Sequence, residues 1–66
     1  MQVGNLIRIN SIACRVYGFR SNVGLIVDTI RTGAGYPPDY DIIIDGGTRR
    51  VGYAIKENAE LVNASR

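Results

Sequence analysis

The sequence predicts an all-β fold, a single small five-stranded barrel spanning residues 1–66. Short apolar runs (LIRI, VGLIVDTI, YDIII and TRRVGY) alternate with turns rich in glycine and aspartate, the pattern of a barrel or sandwich. No segment holds a helical period over a useful length. A chain of 66 residues, with no internal repeat, linker or low-complexity stretch, is enough for one domain.

Each element follows from its local pattern. In LIRIN, residues 6–10, Ile7 and Ile9 point inward while Leu6, Arg8 and Asn10 point outward. Residues 11–22 (SIACRVYGFRSN) lack clean alternation and carry Gly18, Ser21 and Asn22 as turn formers, so a long first loop with a partial hairpin is expected. VGLIVDTI, 23–30, is the second strand. Its nearly unbroken apolar run predicts burial on both faces or a bulge, and leaves open whether Leu25/Val27 or Ile26/Ile30 face the core. TGAGYPPDY, 32–40, is an exposed second loop, because two glycines and a proline pair do not fit a regular ladder. In the third strand Tyr40, Ile42 and Ile44 share the inner face, and Asp41, Ile43 and Asp45 face solvent. Asp45-Gly46-Gly47 marks a tight hairpin, and TRRVGY, 48–53, returns as the fourth strand. KENA, 56–59, supplies one short 3₁₀ turn, and ELV, 60–62, a last strand that pairs with the first to close the barrel.

Composition narrows the function classes. At this size folding hides only about 60% of the surface of the unfolded chain, so reinforcement by disulfide, metal or association is expected. Cys14 is the lone cysteine and there is no histidine, which leaves association: other protein subunits, as a homo-oligomer or part of a larger assembly. No metal or cofactor is expected. The net charge is +2, and every cation but Lys56 is an arginine. The arginines are spread along the chain, whereas nucleic-acid binders usually gather them on one face. Their planar forks suit protein interfaces equally well. No signal peptide is recognisable, and no run approaches the ~18 apolar residues of a membrane span; no membrane partner is expected, and the expected compartment is the cytoplasm.

No residue set specifies a reaction. Cys14 lacks a histidine base and reads as a small buried filler. Asp28, Asp41 and Asp45 read as solvent-face and turn residues, since nothing spaces them around one cation. The glycines of TGAGYPP lack the lysine and following helix of a phosphate loop. RVYGFR is the most informative stretch. Arg15, Tyr17, Phe19 and Arg20 interleave cations and rings, as an interface anchor or a base-stacking platform does; alternatively, Tyr17 or Phe19 folds back as a lid on the core. Arg49 and Arg50 follow the hairpin on opposite faces, and Tyr36 and Pro37 form a semi-rigid apolar loop tip. These eight residues are the candidate partner-binding set.

GNLIRI, a long variable loop, NVGLIVDTI, a second loop, YDIIIDGGTRRV and ENAELV together resemble the SH3-like small barrels, including those whose second strand carries the G-x-V element called KOW. The likeness covers nearly the whole chain. It implies a glycine at the entry to the second strand, a tight hairpin between strands three and four, and a 3₁₀ turn before the last strand. Within that group the layout is most similar to the short single-barrel proteins of tailed phages, especially those of marine cyanobacteria. The resemblance implies a non-enzymatic structural or interaction protein of the virion (capsid decoration, tail or adaptor), located in the virion and host cytoplasm. The KOW-like strand implies nucleic-acid binding as the second choice. A photosystem-type peripheral barrel subunit is a further alternative, its first-loop aromatic pair echoed by Tyr17 and Phe19. The signalling barrels that bind proline-rich peptides use a tryptophan and an acidic first loop; this chain has no Trp and carries Arg15 and Arg20 there.

Overall fold

The computed structural model describes residues 1–62. The element order is β1 (Leu6–Ile9), α1 (Ser11–Tyr17), β2 (Val23–Ile30), β3 (Asp39–Ile44), β4 (Gly47–Val51), a 3₁₀ turn (Tyr53–Glu57) and β5 (Ala59–Leu61). All five strands belong to one antiparallel sheet of order β4-β3-β2-β1-β5. Strands β1 to β4 form a meander, and the 3₁₀ turn carries the chain across to the free side of β1. The expected pairing of last strand with first is present, through Ile7 opposite Leu61 and Ile9 opposite Ala59. Closure is not: among the described residues β4 and β5 remain the two sheet edges.

The largest departure from expectation lies between β1 and β2. Residues 11–17 form a helix where a loop with a partial hairpin was predicted. Asn10 caps it by accepting from the Ala13 amide at 2.8 Å, and Gly18 ends it with φ 79°, its N–H donating back to the Arg15 and Cys14 carbonyls. Seven residues make under two turns, so the helix depends on packing rather than on its own propensity. Ala13 is buried against the sheet, with Cys14 and Tyr17 packed beside it. The thiol of Cys14 lies 3.5 Å from the Ser21 carbonyl and 3.7 Å from that of Ile9, as a half-buried filler between the end of β1 and the turn into β2.

The inner face of the sheet follows the alternation. Ile7 and Ile9 of β1, Tyr40, Ile42 and Ile44 of β3, and Val51 of β4 are buried, joined by Ile26, Phe19, Ala13 and Ile55 in one cluster. A bulge between Ile26 and Asp28 resolves the continuous run of β2: Ile26 is core, and Leu25 faces outward. Gly24 also faces inward, where an added Cβ would lie 3.3 Å from the Ile42 side chain. At the hairpin both Asp45 (φ 55°) and Gly46 (φ 79°) take the left-handed conformation, as a two-residue turn of the I′ kind requires. The 3₁₀ turn begins at Tyr53 rather than Lys56, because burying Ile55 draws the chain inward directly after β4; Ala59 then opens β5.

Candidate functional site

The candidate residues separate into three places. Arg15, Tyr17, Phe19, Arg20 and Arg49 gather where α1 and the turn into β2 meet β4. Tyr36 and Pro37 lie exposed in the 31–38 loop, at the other end of β2. Arg50 stands on the outward face of the sheet, where its Nε donates to Asp41 Oδ1 at 2.9 Å. This bond, and the negative charge of Asp41 itself, raise the Arg50 pKa further, with Asp39 and Asp28 contributing.

The first group is a built stack. The rings of Tyr17 and Phe19 lie 5.2 Å apart and within 9° of parallel, and the Arg49 guanidinium sits 5.0 Å from the Phe19 centroid. Arg49 also donates through Nη2 to the Tyr17 carbonyl at 3.0 Å, and the Tyr17 hydroxyl accepts from the Gly52 amide at 3.4 Å. Phe19 is only 8% exposed. Its ring faces are occupied by protein, so it closes the core and presents no platform to a base. Arg15 and Arg20 extend into solvent around it.

Asp45 fixes the neighbouring turn. Its two carboxylate oxygens accept from the Arg20 and Ser21 amides, each at 2.7 Å. The hydrogen bond from Arg20 holds the carboxyl below its ordinary value of 3.8; the Ser21 bond and the charges of Arg20 and Arg49 act in the same direction, against partial desolvation. The carboxylate thereby ties the β3–β4 turn to the segment leaving α1. It is exposed, as its place on the strand predicts, yet its task is structural.

Two residues outside the predicted set are more conspicuous. Ile12 and Val16, one helical turn apart on α1, are 71% and 77% exposed. With Ala13, Tyr17, Ala54, Ile55 and Asn58 they line a shallow groove of about 190 Å³ between α1 and the 3₁₀ turn. The signal was present in the sequence as an i, i+4 apolar pair between a capping Asn10 and a terminating Gly18.

Among the described residues no cluster of three or more His, Cys, Asp or Glu side chains could hold a metal ion. No helix there is long and apolar enough to cross a membrane. Asp28 and Asp41 do face each other across the β2–β3 ladder, but Asp41 is paired with Arg50 and Asp45 lies at the hairpin. Compared with protein-family models, curated proteins and solved structures, the chain matches none of them.

Proposed function

We propose that this chain is a non-enzymatic interaction protein with an SH3-like strand order, docking on other protein subunits of a larger assembly through the groove beside α1. The carrying observation is the exposed Ile12–Val16 pair. Two aliphatic side chains more than two-thirds exposed, side by side above an apolar groove, are disfavoured in water and suit insertion into a partner. The layout it shares with short tailed-phage barrels makes a virion or adaptor component the setting of this reading.

Nucleic-acid binding draws less support. Arg20 and Arg49 do both lie near Asp45, but the aromatic stack beside them is consumed by the core.

A photo-cross-linking side chain placed at Val16 tests the reading. In extract of the source cells, or in purified particles, it should form an adduct with one discrete protein, and adding Ile12→Asp should abolish that adduct. The same probe at Thr32, in the far loop, is the control. Labelling at position 16 no more selective than at 32 removes the docking site.

A further inference from the structure

The outward face of the sheet is a second apolar surface, unused by the docking reading. Where one face of an antiparallel sheet meets water, its outward positions are polar and the strands alternate. In β1 to β3 the outward positions include Leu6, Val23, Leu25 and Ile43, which is why VGLIV and III read as unbroken runs. Leu6 stands opposite Leu25, and Leu25 opposite Ile43, so the three form one apolar bar across three strands. Leu25 and Ile43 remain 36% and 44% exposed.

An ion pair bounds the bar on each side. Arg8 and Glu60 join at 3.2 Å across β1 and β5, both largely exposed, and Asp41 and Arg50 join at 2.9 Å across β3 and β4. The pairs lie on opposite sides of the bar, Arg8 and Glu60 beyond Leu6 in one strand direction and Asp41 and Arg50 beyond Ile43 in the other, so Arg8 and Asp41 stand diagonally across Leu25. A two-fold axis lying in the plane of contact over Leu25, perpendicular to the line from Arg8 to Asp41, sets Arg8 over Asp41 of a second copy and Glu60 toward its Arg50, and the symmetry repeats both contacts. Asp28, beside Asp41 in the ladder, adds to the negative charge that Arg8 meets.

We infer that this face is covered by a second copy of the chain, in an isologous dimer centred on Leu25. Five strands about 4.8 Å apart and about five residues long give a face of roughly 400 Å² in projection. That is below the ~800 Å² per partner of a standard interface, so the dimer belongs to the weak class and forms in the micromolar range.

The test exchanges charges without changing either ion pair or the net charge. One variant carries Arg8→Glu with Glu60→Arg, the other Asp41→Arg with Arg50→Asp. Each alone places like charge over like charge, and the two are complementary to each other. In sedimentation equilibrium over roughly 1–500 µM, the full wild-type chain should dimerise. Each variant should do so at least about tenfold more weakly, and their equimolar mixture should recover dimer. A wild type that stays monomeric throughout overturns the proposal, even if the face then takes a different protein. So does a dimer indifferent to both exchanges. If circular dichroism shows an exchanged variant to be unfolded, Leu25→Gln with Ile43→Gln replaces it; dimerisation retained by that folded variant overturns the proposal as well. Ile12→Asp with Val16→Asp should leave the dimer intact, which separates this result from the fate of the docking groove.

Discussion

Ile42, Ile43 and Ile44 are chemically identical neighbours, and the fold assigns them opposite fates. Ile42 is 0% exposed and Ile44 is buried beside it, whereas Ile43 points outward. Ile42 packs into the space left by the missing side chain of Gly24, with its Cδ1 3.3 Å from where a Cβ would stand. Truncation there leaves a cavity that the short sheet has little means to collapse, so Ile42→Ala and Ile44→Ala should each cost about 3 kcal/mol, within the range for buried isoleucine. A chain of 66 residues has a total of roughly 3–10 kcal/mol. With a shift of about 4–8 °C per kcal/mol in a domain of this size, the melting temperature should fall by some 12–24 °C. Ile43→Ala should cost below about 1 kcal/mol at low protein concentration, since the side chain keeps nearly half its exposure in the monomer. Thermal melts by circular dichroism in dilute solution, repeated in urea, read all three. Equal losses at 42, 43 and 44 would refute the assignment of faces.

Asp45 gives a prediction with a definite sign. Its folded pKa is depressed by the Arg20 amide first, then by the Ser21 amide and nearby arginines, so the stability it contributes is complete above its ordinary value of 3.8 and is lost as pH falls through the lower folded value. Asp45→Asn tolerates the left-handed turn but does not titrate; the gap in melting temperature between wild type and variant should be largest near pH 6 and shrink as pH falls below 3.8, and a gap independent of pH would sink the account. Phe19→Ala should lower stability by about 3 kcal/mol or more, because its ring closes the core, whereas Tyr36→Ala with Pro37→Ala should leave the melt unchanged. A Phe19→Ala protein that melts like wild type would return that ring to the surface as an interface anchor.

The strands were legible because their physics is local. Tyr40, Ile42 and Ile44 alternate with Asp41 and Ile43, and side-chain direction in a strand is fixed by the pleat alone. Asp45 and Gly46 announced the hairpin because few other residues accept its backbone angles. Helix α1 was obscured by the same kind of reasoning: Ile12 and Val16 form a helical pair, but they point at solvent, so the apolar pattern of SIACRVY does not trace the buried side of the helix. Only Asn10 and Gly18 marked its ends. The open edge between β4 and β5 depends on how far the sheet curls, a global property that alternation does not encode. The Tyr17–Phe19–Arg49 stack was half visible: RVYGFR showed the aromatic pair, but the cation that joins it arrives from β4 through tertiary structure.

The placement of the aromatics bears on both proposed surfaces. The buried cluster is built mainly from isoleucines, with Phe19 and Tyr40 as its only rings, and Tyr17 packs against it from the edge. A core of medium-sized aliphatics on one short sheet leaves its mouth open, and the stack that Arg49 braces closes it. Those rings are therefore committed to stability. Among the exposed apolar groups, aliphatic side chains are concentrated on two surfaces, Ile12 and Val16 on the helix and Leu25 and Ile43, with half-buried Leu6 beside them, on the outward sheet. Opposite charges stand diagonally across the bar on the sheet surface, Arg8 on one side and Asp41 on the other, so the proposed self-association has a charge arrangement to read there, and the docking proposed at the groove beside α1 rests on Ile12 and Val16.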